Sequence, residues 1–288
     1  MRLPVIIFIL LHYCVGIHAQ PGTQLSSQIV LFPAGLNFVP LKANLYEPRI
    51  GVFLFSDGSR MRVDIGNSVE VLAWETGQMR ITTGIDFMAY AYTTGAKGLR
   101  LQVDAMDGIF GGHLTISEGP DQQHLIMRLR ILHHSAHFAD GHYIETNPWA
   151  NDSAPVPYTR DFGELILMHT FRKTSYLMRC YGGMSYATLV RPSEVRRIEY
   201  LTGFETVSEH LLGPILDNPA NIYIAYNISL TGTPAYVATN QIQIGSKLGQ
   251  WLGKGVTIYL SYYSGRHMFR EYLLAHLSTF GFGFTVDF

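Results

Sequence analysis

Apolar side chains recur at every second position along most of this chain. In 60–74, Met61, Val63, Ile65, Val69 and Val71 fall on one face, and Arg60, Arg62, Asp64, Ser68 and Glu70 on the other. In 80–92, Ile81, Ile85, Phe87 and Ala89 oppose Arg80, Thr82 and Asp86. In 221–231, Ile222, Ile224, Tyr226, Ile228 and Leu230 oppose Tyr223, Asn227, Ser229 and Thr231. In 255–265, Val256, Ile258, Leu260 and Tyr262 oppose Thr257, Tyr259, Ser261 and Tyr263. A period of two is the mark of strands with two unlike faces, and Gly, Asn, Asp and Pro collect between the segments as turn formers do. Strands of about ten residues are expected near 49–56, 60–74, 79–92, 98–117, 123–138, 162–172, 175–188, 197–208, 220–231, 235–248, 255–265 and 277–288. The fourth is long for one strand, and Gly108, Gly111 and Gly112 are expected to bend or split it.

The last segment, "STFGFGFTVDF", carries the strongest pattern. Phe280, Phe282, Phe284, Val286 and Phe288 share one face, and Gly281, Gly283, Thr285 and Asp287 the other. A wholly apolar outer face needs either a protein core or lipid against it, and the small polar face then suits a polar lumen. The prediction is an all-β chain: a closed antiparallel transmembrane β-barrel of about 12 strands, within 10–14. The sheet must close, because each unpaired backbone group in hydrocarbon costs several kcal/mol. A soluble β-sandwich or lipocalin-type barrel is the competing fold. Inward charges, among them Arg62, Asp64, Glu70, Asp86, Asp104, Arg128, Arg130 and Glu205, are expected to pair across the lumen. A packed polar plug would leave no pore, and a porin-sized channel would want more strands. The alternating strand ending in Phe also resembles the signal by which outer-membrane barrels are recognised for assembly, with Phe284, Val286 and Phe288 as its residues.

The chain has 288 residues, with 21 Lys plus Arg against 22 Asp plus Glu, so its formal charge is only -1. No basic stripe with interleaved aromatics appears, which argues against nucleic acid as a partner. The start, "MRLPVIIFILLHYCVGIHAQ", reads as a Sec signal peptide over 1–19. Arg2 gives the positive end, Val5 to Leu11 the apolar run, and Ala19 a small residue before the cut. The run is far shorter than the roughly 20 residues a spanning helix needs. A lead-in on the periplasmic side over 20–45 and a barrel over 46–288 complete the expected organisation, located in a bacterial outer membrane. Loss of Cys14 with the signal leaves Cys180 alone, so no internal disulfide is expected.

Two stretches resemble a family catalogued as domain of unknown function 1207, whose members are thought to be outer-membrane barrels. One is "LFPAGLNFVPLKANLYEPRIGV" at 31–52, with Phe32-Pro33, Pro40-Leu41 and Glu47-Pro48-Arg49 in the family's arrangement. The other is "HHSAHFAD", similar to a family pattern His-x-Ser-Ser-His-Leu-Gly-Asp through His133, Ser135, His137 and Asp140; it departs at Ala136, Phe138 and Ala139. The resemblance implies a fold and a location, and no activity.

That second stretch lies in "ILHHSAHFADGH", where four histidines, a serine and an aspartate fall within residues 131–142. Alternation continued from Leu125, Met127, Leu129 and Ile131 places His133, Ser135 and His137 on the outward face, and His134 with Arg128 and Arg130 on the inward one. The longest loop follows, so the group is expected at the outer-leaflet rim. Side chains at i and i+2 of a strand lie side by side, which lets His133 act as base for Ser135. The His-x-Ser spacing is similar to that of outer-membrane phospholipase A and lipid A deacylase barrels, although Ala136 stands where those families commonly carry Asn. The orienting acid is open between Asp140, Glu145 and Asp161, with Asp140 taken first. The catalytic set expected is therefore His133, Ser135 and Asp140. The bland alternative is a headgroup-facing rim of His, Ser, Tyr and Trp149, with Tyr90, Tyr92, Trp74 and Trp251 in aromatic girdles. A metal site is disfavoured, because His133 and His137 lie roughly 13 Å apart along a strand. Two functions result: a non-catalytic barrel, structural or permeating small solutes, and a lipid esterase. No cofactor is expected, though a lipase would admit a divalent cation such as calcium. The expected partners are outer-membrane lipids, lipopolysaccharide and the barrel-assembly machinery.

Overall fold

Each alternating segment becomes a strand in the computed structural model, which describes residues 27–96, 100–119, 123–139, 156–209 and 211–288. The expected signal peptide over 1–19, Cys14, the lead-in up to residue 26, Asp140, Glu145 and Trp149 lie outside them. The strands are β1 (Ser27–Leu31), β2 (Ile50–Phe55), β3 (Arg60–Thr76), β4 (Met79–Ala96), β5 (Arg100–Glu118), β6 (Gln123–Phe138) and β7 (Tyr158–Lys173). Then come β8 (Tyr176–Arg191), β9 (Ile198–Ser208), β10 (Pro214–Ile215), β11 (Asn218–Gly232), β12 (Tyr236–Gly249), β13 (Gly255–Arg266) and β14 (His276–Asp287). β1 pairs only with the far end of β3, and β10 is a short ladder on β11. The other strands form a closed ring of 12, each antiparallel to the next, shut where β14 pairs with β2 through Phe284↔Val52 and Val286↔Ile50. The expected strand number and closure are both found.

Two strand-level expectations are corrected. β3 to β8 run for 16 to 19 residues rather than about ten, because the polar strand ends continue the ladder after apolar alternation fades. β5 is one unbroken strand; the register shift in its pairing lies at Tyr92/Thr93 on β4, away from the glycines. Gly111 instead permits close approach, since a Cβ there would stand 2.0 Å from the Ile131 carbonyl oxygen.

The outward face is apolar around the ring: Ile65, Ile85, Phe87, Phe110, Ile131, Leu260 and Phe280 are all exposed. The inward face is charged, and its charges are paired. Arg62 reaches Asp64 at 2.5 Å, His113 reaches Asp86 at 3.1 Å, and Arg179 pairs with Glu205. Residues 33–49, which include the second half of the expected lead-in, sit inside the bore. Phe38, Leu41, Ala43, Leu45 and Glu47 are buried there. Glu47 accepts hydrogen bonds from both Nη atoms of Arg128, at 2.8 and 2.6 Å. Arg130 lies between Glu47 (3.7 Å) and Glu164 (2.7 Å). Backbone groups of this plug are satisfied by the wall: the Lys42 N–H donates to Glu205 (2.5 Å), and Arg179 donates to the Val39 carbonyl (3.0 Å). Such satisfaction is what lets an irregular segment sit in a barrel.

At the opposite end, residues 267–275 fold over the bore with a 3-10 turn at Arg270–Tyr272. Phe269 lies 5.5 Å from the Tyr90 ring, and the Arg270 guanidinium 4.9 Å from the Tyr46 ring. The girdle expectation is thereby corrected: Tyr90, Tyr92 and Trp251 are buried inside, and only Trp74 of those four faces outward. The glycine face of β14 is also less polar than expected. Gly281 and Gly283 make room for the Phe53 and Tyr259 rings, which stack at 6.2 Å; a Cβ at either glycine would fall within 2.5 Å of one of them.

Candidate functional site

β6 keeps an uninterrupted register with β5 on one side and β7 on the other, so side-chain parity holds to its end. His133 and Ser135 are therefore outward and half-buried, His137 is exposed opposite Met106, and His134 is inward and buried. His134 takes a lumenal place: its Nε2 lies 2.8 Å from Asp107 Oδ2, and its ring packs on Tyr46 at 5.6 Å and Tyr158 at 5.1 Å. The dense patch of histidines is thus split between two sides of the wall, as alternation predicts.

On the outward side His133 stands between two neighbours. Phe110 of β5 packs against it with ring centroids 5.0 Å apart. Asp161 of β7 is its direct cross-strand partner, with His133 Nδ1 2.6 Å from Asp161 Oδ1. Both remain reachable, with side chains 35% and 47% exposed. A carboxylate accepts from Nδ1–H, so the remaining nitrogen, Nε2, carries the lone pair. Ser135 lies two residues along the same face, and its hydroxyl makes no hydrogen bond among the described residues. Among the described residues Ser135 makes no hydrogen bond to His133.

The cross-strand neighbours of Ser135 are Gly108 on β5 and Thr159 on β7. Thr159 is half-buried, and its hydroxyl is likewise unpaired among the described residues. The structure thus brings together His133, Ser135 and Asp161, in the order acid, base, hydroxyl that nucleophilic catalysis requires. Asp140 lies outside the described residues. Asp161 was legible as an oddity: it shares its face with Leu165 and Leu167, while Arg160 and Glu164 take the inner one. Of the expected assembly residues, Phe284 (exposed) and Val286 (half-buried) lie in the ring's closing seam, and Phe288 (exposed) follows the end of β14.

A second concave feature lies inside the ring, between the plug and residues 267–275. Arg160 donates there to Glu199 (2.5 Å) and Ser185 (2.8 Å), and Arg270, Asn227 and Gln241 are among the other residues that line it. Among family models, curated proteins and solved structures, none matches this chain.

Proposed function

We infer that this protein is an outer-membrane barrel that hydrolyses lipid acyl esters at its rim, with Ser135 as nucleophile, His133 as general base and Asp161 as the group that orients the base. The location is supported by the apolar outward face of a closed sheet, since a ring with no free edge and a lipid-compatible exterior suits a bilayer. The rim placement is supported by chain order. β6 ends at the end of the ring opposite the plug's entry, the side where barrels of this class carry long extracellular loops. The activity is carried by one observation: the 2.6 Å contact of His133 Nδ1 with Asp161 beside an outward Ser135.

The chemistry is acyl transfer to water. His133 Nε2 takes the Ser135 proton as Oγ bonds to the ester carbon. The ester C–O bond breaks, and the proton passes to the departing alcohol. Water then repeats the sequence on the acyl-enzyme and restores Ser135. A filled bore favours this reading over solute permeation, which would require residues 33–49 to leave.

The test uses purified full-length protein in detergent micelles. A fluorophosphonate probe is expected to label wild type and not Ser135→Ala. Ester cleavage is expected to vanish in Ser135→Ala and His133→Ala, and to fall by roughly 10³–10⁴-fold in Asp161→Asn, which leaves the imidazole in the wrong tautomer. An unlabelled wild type that cleaves neither phospholipid nor nitrophenyl esters would sink the reading.

A further inference from the structure

The ladder that carries Ser135 continues across the wall as a single row. Register pairs place Gly108 on β5, Ser135 on β6, Thr159 on β7 and Arg191 on β8 side by side. The two ends of the row are unlike each other. On β5, Gly108 sits between Met106 and Phe110, both exposed, and a Cβ added at Gly108 would meet nothing within 4 Å. That leaves a notch beside the serine hydroxyl, flanked by apolar side chains. On β8, Arg191 is exposed at the strand end and has neither an ion pair nor a hydrogen bond among the described residues. Its backbone is two strand spacings from Ser135, or roughly 10 Å, a gap that a long guanidinium side chain shortens. Most other arginines of the wall have carboxylates: Arg62, Arg128, Arg130, Arg160, Arg172 and Arg179 are all paired.

An unpaired guanidinium beside a nucleophile suits a substrate that brings its own anion. We propose that Arg191 binds the phosphate of an acylated, phosphate-bearing lipid whose ester carbonyl lies over Ser135, with the Gly108 notch receiving the first carbons of the acyl chain. The planar fork of arginine matches a phosphate in two hydrogen bonds at once. The geometry then sorts lipids by charge as well as by ester: a neutral ester reaches Ser135 with nothing for Arg191 to hold. The phosphate could belong to a glycerophospholipid or to the phosphorylated sugar of lipopolysaccharide, and both present the same chemistry. This assignment rests on the hydrolase reading above.

The experiment measures kcat and KM for wild type, Arg191→Gln, Arg191→Lys and Gly108→Val in detergent. Its four substrates are phosphatidylglycerol, lipopolysaccharide, an uncharged long-chain nitrophenyl ester and nitrophenyl acetate. Loss of a charge-assisted hydrogen bond is expected to raise KM of Arg191→Gln for the phosphorylated substrate roughly tenfold, with kcat and the neutral ester unaffected. Arg191→Lys is expected to recover part of the loss. The phosphorylated lipid whose KM responds identifies the source. Gly108→Val adds its methyls to open space, so the fold tolerates it; hydrolysis of long-chain esters is expected to fall while an acetyl ester is spared. Equal effects of Arg191→Gln on charged and neutral esters, or no effect on either, would overturn the Arg191 assignment and leave the triad intact. A wild type inactive on all substrates would remove both.

Discussion

Glu47 shows how much a single side chain can carry. It is one carboxylate among two arginines of β6, fully enclosed, with both oxygens used by Arg128 and a third contact from Arg130. A buried ion pair adds little over an apolar packing of the same shape, but breaking one strands a charge. Glu47→Gln leaves Arg128 and Arg130 with Glu164 alone, and is expected to cost about 3–5 kcal/mol. The urea midpoint of the folded barrel in detergent checks it; a shift below what 1 kcal/mol would give counts against the plug as a structural member. The residue scale also shows what alternation can and cannot reveal. The shared face of His133 and Ser135, and the separation of His134, follow from parity within one strand. Asp161 is one of the three acids the sequence leaves open, and its place beside His133 depends on the β6–β7 register, which the intervening loop conceals.

At the scale of elements, alternation predicted the strands and their inward charges well and their lengths and aromatic placement poorly. Polar strand ends lose the two-faced pattern while their backbone ladder continues. Tyr90, Tyr92 and Trp251 face a bore filled with protein, so aromatic residues inside the wall found packing partners where a girdle was expected. The glycine face of β14 belongs to this same internal packing. Gly283→Val would drive methyls into the Tyr259 ring and is expected to destabilise by about 1–3 kcal/mol, read from the same urea midpoint; Thr285→Val on the same strand serves as the volume control. The segment 267–275 carries two opposed titrations. Burial, then the nearby Asp107, pushes the Glu271 carboxyl up to about 7. Burial pushes the His267 imidazole down to about 4. Glu271 holds its proton more tightly folded than unfolded, so its stabilisation is complete below its ordinary value of 4.5 and is lost as pH rises through about 7. His267 runs the other way: its contribution is present above its ordinary 6.5 and is lost as pH falls towards about 4. The two tend to cancel in wild type, and Glu271→Gln separates them. Wild type is expected to exceed Glu271→Gln in melting midpoint by more at pH 5 than at pH 8. An equal gap at both pH values would contradict the shift.

Viewed whole, the molecule is a ring whose interior is occupied by its own chain. A bore of 12 strands would be wide enough to admit water if emptied, and here residues 33–49 lie across it, bonded to the wall. Wild type is therefore expected to be electrically silent in planar bilayers, and deletion of residues 37–46 to open steps of steady conductance. Conductance already present in wild type would show that the plug leaves readily. The same interior arrangement bears on how the protein is made. The plug precedes β2 in the chain, while the ring shuts only when β14 reaches β2. Lys42 of the plug and Lys247 of β12 both grip Asp287, at 2.9 and 2.6 Å, one residue beyond the last seam pair, Val286↔Ile50. Chain order thus places the occupant ahead of every strand of the ring, while the last strand, β14, ends beside it. Asp287 ties that last strand to the occupant through Lys42, and closure around an empty bore would leave the carboxylate with Lys247 of the wall alone.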